Sequence, residues 1–221
     1  ITSTNGAVKV GTVNQTDASA KADGSQVDPG NTDVGVGAAV ALNMGVSTNV
    51  ATIGDNSQIN SKGVTVSAVN ATGQKSDFAA DAKSGAGAKN VGVAGSLAVN
   101  AVVNTTVAAI EGDVDHNGTL TTVNAGTGDV LIEAKNATTS TVTSGAAVTG
   151  TGGTAKVGIG ASIGLNVAVN TTVAEIADGV VFNGGKDLGL NAGGDHTMLT
   201  TVTGGASGAG VAVTPLAGVS V

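Results

Sequence analysis

The chain is 221 residues long and carries 36 glycines, about twice the usual share, while its aromatic residues are reduced to Phe78 and Phe182. Nine lysines face sixteen carboxylates for a net charge of −7, and there is no Cys, Trp, Tyr or Arg. No Cys means no disulfide framework, thiolate metal site or Cys nucleophile, and a negative chain without Arg or stacking aromatics excludes nucleic-acid binding.

Taken in chain order, two kinds of segment alternate. VKVGTVNQT from Val8 comes first, followed by VGVGAAVALNMGVSTNVATIG from Val34. VTVSAVNAT from Val64 copies the first kind, and VGVAGSLAVNAVVNTTVAAIEG from Val91 copies the second. A third pair follows as VLIEAKNAT from Val130 and VGIGASIGLNVAVNTTVAEIADG from Val157, then a decayed LGLNAGGDH from Leu188 and VAVTPLAGVSV from Val211. The strong units start 57 and then 66 residues apart and share register: Asn43, Asn100 and Asn166 coincide, as do Val50, Val107 and Val173, and Ile53, Ile110 and Ile176. Fixed-period similarity of this kind defines a repeat architecture.

Within each strong unit the side chains alternate with the period of an extended strand. Val34, Val36, Ala38, Val40, Leu42, Met44 and Val46 fall on one face, and Gly35, Gly37, Ala39, Ala41, Asn43, Gly45 and Ser47 on the other. The weak units alternate as well, with Val64, Val66 and Ala68 inward and Thr65, Ser67, Lys75, Asp77, Asp81 and Lys83 outward. Clusters such as GDNSQINSKG after Ile53, SGAGAKN from Ser84 and TGTGGTAK from Thr149 supply turn chemistry, and Pro29 and Pro215 stand outside the strand cores. The pattern predicts an all-β fold. Over residues 1–221 it reads as one β-solenoid of alternating half-repeats of about 28 residues, with stacked long antiparallel hairpins as the alternative. One rung per half-repeat gives about eight rungs and a rod roughly 40 Å long. The chain reads as soluble, without membrane insertion, and as a segment of something longer.

The bulky face is expected to line the core. The flat face, represented by Gly35, Gly37, Ala39, Gly92, Ala94, Gly158, Gly160 and Ser162, is then the expected self-association surface, since sheets without side-chain bulk can approach closely.

Chemistry is sparse. His116 and His196 read as solvated loop histidines, and Asp195–His196 lacks a placed nucleophile and oxyanion site. Glycine pairs such as Gly35-x-Gly37 lack the strand–turn–helix context of a phosphate loop. Asp113, Asp115 and Asn117, followed by Gly118, have the spacing that opens a calcium loop, but position twelve is Asn124 in place of the usual Glu. An Asn-Gly turn is the plainer reading, and calcium is the sole cofactor entertained. The N-x-Thr triplets at Asn14, Asn70, Asn104, Asn117, Asn136 and Asn170 read as bends or an internal ladder before glycosylation acceptors.

At the level of VGVGAAVALN…NTTVAAIEG the chain resembles repeat regions of very large bacterial secreted surface proteins, the filamentous adhesins and leukotoxin-like proteins exported by two-partner or autotransporter routes. The resemblance implies a β-helical, extracellular, structural or adhesive stalk and carries over no catalytic residue. Expected partners are neighbouring repeats, a second copy, or a host glycan or receptor. A self-assembling filament is the second functional reading; a polysaccharide-acting enzyme would need an acidic cluster or basic groove that the sequence lacks.

Overall fold

The structure, a computed structural model, describes residues 1–25, 33–114, 118–150, 155–206 and 208–221. Every element among the described residues is a β-strand: β1 Val8–Asn14, β2 Ala18–Ser25, β3 Val34–Ile53, β4 Gln58–Asn60, β5 Val64–Asn70, β6 Ser76–Ala88, β7 Val91–Ile110, β8 Thr121–Gly126, β9 Val130–Gly150, β10 Ala155–Ile176, β11 Val180–Gly184, β12 Leu188–Ala206, β13 Gly208–Val213 and β14 Leu216–Ser220.

Among the described residues every strand pairing is parallel, which removes the antiparallel-hairpin alternative. Three sheets wind as a solenoid. The first wall holds β1, β2, β5, β6, β9 and β12, the second holds β3, β7, β10, β13 and β14, and a short third wall holds β4, β8 and β11. The repeat register seen in the sequence is the ladder register: Val34 lies beside Val91 and Val91 beside Val157, unbroken to Ile53, Ile110 and Ile176.

The coil length differs from the sequence expectation. Strands β3, β7 and β10, successive in the second wall, are a full 57 and then 66 residues apart, so weak and strong half-repeats face each other across the interior and do not stack. The chain therefore completes about four coils, not eight, and rises roughly 19 Å.

The facing of the strong units is also reversed. Along β3 Gly35, Gly37, Ala39, Ala41 and Gly45 are buried, while the bulky residues of the opposite face are exposed, among them Val36 at 67% and Met44 at 85%. The cause is wall separation. A Cβ on Gly37 would sit 2.2 Å from the Gly85 carbonyl oxygen, and one on Gly24 would sit 1.7 Å from that of Ala38. The two long walls approach nearly backbone to backbone, so only small residues fit between them. The weak units behave as expected: Val64, Val66 and Ala68 are fully buried and Asp77 and Lys83 exposed.

The interior is graded. Where the third wall holds the long walls apart, Ile53, Ile59, Ile110, Val123 and Ile132 fill one cluster. Farther along, Ala39, Ala41, Ala80, Ala82, Ala98 and Val142 suffice, and then Ala86, Ala94, Ala146 and Val148. Two turn expectations change: residues 84–88 of SGAGAKN belong to β6, and within GDNSQINSKG a strand, β4, separates turns marked by positive φ at Asn56 and Gly63. Pro215 lies in the break between β13 and β14, and Pro29 falls outside the described residues.

Candidate functional surfaces

The outward positions of the two long walls differ in kind. On the second wall the columns run along the solenoid axis: Val34, Val91, Val157 and Val211; Val36, Val93, Ile159 and Val213; Leu42, Val99, Leu165 and Val219. The column of Ala38, Gly95 and Ala161 forms a shallow valley between bulkier neighbours, and a Cβ on Gly95 would meet nothing within 4 Å. From the first column to that of Val46, Val103 and Val169, β3, β7 and β10 present no polar side chain outward. Glu175, near the end of β10, is the first charge on that face.

The first wall presents Lys21, Asp23, Asp77, Asp81, Lys83, Glu133, Lys135 and Asp195 among threonines and serines. Lys21 pairs with Asp81 at 3.8 Å, Lys75 with Asp195 at 2.9 Å, and Lys135 with Glu133. Such exposed pairs add little stability but keep the wall hydrated. A hydrogen bond from Ser25 holds the fully exposed Asp23 carboxyl below the ordinary carboxylate range.

Gly35, Gly37, Ala39, Gly92, Ala94, Gly158, Gly160 and Ser162, the residues expected to form an outer self-association face, are all buried against the first wall. That face is closed to other molecules. Its asparagines and serines join the walls: Asn43 Nδ2 donates to Asn100 Oδ1 at 2.8 Å, and Asn100 Nδ2 donates to Ser140 Oγ at 2.8 Å and to the Phe78 carbonyl at 3.2 Å. Ser140 Oγ donates to Asn166 Oδ1, and Asn166 Nδ2 returns to the Ser140 and Leu199 carbonyls at 3.0 and 3.2 Å. Ser96 Oγ reaches Ser162 Oγ at 3.0 Å and Ser144 Oγ at 2.9 Å. Two of the N-x-Thr asparagines form a ladder of the same kind, Asn104 Nδ2 donating to Asn170 Oδ1 at 2.8 Å and to Thr138 Oγ1 at 3.1 Å. With Asn104 only 2% exposed, the internal-ladder reading holds there. The amide nitrogens of Asn43, Asn100, Asn104 and Asn166 all donate within the interior in place of water, whereas Asn104 Oδ1 is buried without a partner.

Of the calcium candidates, Asp115 and Asn117 lie outside the described residues, as does His116. Asp113 accepts a hydrogen bond from the Gly118 amide at 3.0 Å, and Gly118 has φ 80°, the geometry of a tight turn. Among the described residues no three His, Asp or Glu side chains gather as a metal site. His196 is not in a loop: it occupies an inward position of β12, level with Thr138, and lines a 160 Å³ opening with Ser140, Asn170 and Met198. Partial burial pushes its pKa down, opposed by Asp195 and aided by Lys75. Sequence reasoning missed the apolar outer wall; the signal available was the asparagine column, which shares its face with the glycines.

No family model, curated protein or solved structure matches this chain. Among the described residues no helix is long and apolar enough to cross a membrane.

Proposed function

We propose that the chain is a non-enzymatic structural segment of a secreted or surface-displayed bacterial protein, a stiff stalk that spaces and presents adhesive elements. The observation that carries this reading is the unbroken twenty-residue register of β3, β7 and β10. Bending such a wall between coils requires breaking many inter-strand hydrogen bonds together, and the Asn43–Asn100–Asn166 ladder resists shear inside it. Contact with a host glycan or receptor would fall to the corners, where the chain between β7 and β8 is longest. Extracellular display rests on the resemblance to filamentous surface proteins and on a Cys-free composition.

Negative-stain electron microscopy of the purified chain, joined to glycan-array binding, tests the proposal. Discrete stiff particles with binding lost on deletion of residues 111–120 fit it. Turnover of a polysaccharide substrate would replace it with an enzymatic reading.

A further inference from the structure

We infer that the apolar outer wall of β3, β7 and β10 is an interface with a second copy of this chain, two solenoids lying side by side with these walls face to face. The inference stands apart from the stalk reading, because a solenoid with any other task would carry the same wall.

Size comes first. The non-polar stretch spans about 40 Å along the strands and about 19 Å across four of them, roughly 760 Å², near the ~800 Å² each partner contributes to a standard stable interface. It exceeds the ~300–600 Å² of the largest apolar patch on a typical monomer. Chemistry then selects the occupant. The polar first wall is a poor partner, since Asp81, Lys83, Glu133 and Lys135 would lose water against valines. A lipid surface is a poor partner too: the chain is anionic and has no Trp, Tyr or Arg to anchor in headgroups. The same wall of a second copy offers apolar ridges alone, at the ~10 Å spacing of packed sheets.

Charge at the margins selects the orientation. Exposed Lys89 lies two residues before β7 and exposed Lys156 is the second residue of β10, with Asp33 before β3 engaged by Asn90, while Glu111, Glu175 and Asp178 lie at or just past the other ends of these strands. A two-fold axis parallel to the solenoid reverses strand direction and turns the lysine margin of one copy toward the acidic margin of the other. The alternative axis, along the strands, opposes acid to acid.

Sedimentation velocity of the 221-residue chain between about 1 and 100 μM, within the range of ordinary specific interfaces, tests this. The expected result is a reversible dimer that Leu97→Lys with Ile163→Lys weakens roughly tenfold or more, while Thr141→Lys on the polar wall leaves it intact. Met44→Lys, at a site 85% exposed, serves as a second variant whose folding is not in question. Because the chain has no cysteine, Leu97→Cys, at the midpoint of the wall where the two-fold axis passes, should cross-link copies on oxidation, and Thr141→Cys should not. A monomer at every concentration overturns the inference, as does a dimer insensitive to lysines on this wall. Flotation with neutral lipid vesicles that the lysine variants abolish would assign the wall to a membrane surface and overturn it equally.

Discussion

The two ends of the solenoid's cross-section solve the same problem with opposite materials. At the three-walled end the long sheets are propped apart and Ile53, Ile59, Ile110 and Ile132 fill the gap. At the two-walled end the sheets close until a Cβ on Gly37 would sit 2.2 Å from the Gly85 carbonyl oxygen, and the interior is filled mostly by alanines, with Val142 and Val148 as the larger members. Interior residue size here follows from wall separation, so a valine is a core residue in β5 and a surface residue in β3. Phe78 shows the rule locally: it is fully buried in the first wall because the facing position is Gly45, where a Cβ would lie 2.3 Å from its ring.

Substitutions at the two ends should separate these materials. The largest loss is expected for Ile132→Ala at the wide end, about 3–4 kcal/mol by denaturant titration, because the propped walls cannot collapse into the cavity. Gly37→Val at the narrow end should cost about 2–3 kcal/mol by overpacking against backbone, whereas Gly95→Val, outward on the neighbouring strand, should be neutral or slightly stabilising. Equal losses at Gly37 and Gly95 would mean that wall separation is not the controlling variable. Asn100→Ala should cost about 2 kcal/mol by stranding the partners at Asn43 and Ser140. His196 gives the smallest effect. Its folded pKa is lowered, so the unfolded chain binds the proton more readily, and stability should hold above about pH 6.5 and decline as pH falls through the folded value. His196→Gln should flatten that dependence in melting curves recorded from about pH 8 to pH 5.

Much of the fold was legible in the sequence because a parallel ladder copies the repeat alignment: Val34, Val91 and Val157 align on paper and pair in space. Two things were not. The number of half-repeats per coil depends on which segments stack and which face, and alternation within a strand is silent on that choice. Which face of β3 turns inward depends on its opposite wall, where Ala80, Ala82 and Ala86 are small and Asp77, Asp81 and Lys83 mark the outside. The buried asparagine column pointed the same way, since Asn43, Asn100 and Asn166 share their parity with the glycines. Treating bulk as the sign of burial overrode both.

The corner after β7 has a consequence of its own. Six residues separate Ile53 from Ile59 and Ile176 from Phe182, yet thirteen separate the matching Ile110 and Val123, and the sheets on either side keep their alignment. Added chain at a bend costs little closure entropy and disturbs no ladder. Vertices of this scaffold are thus open to grafting: a foreign epitope or binding loop placed between Glu111 and Leu120 should be displayed at a fixed height while the coils beneath it stay unchanged.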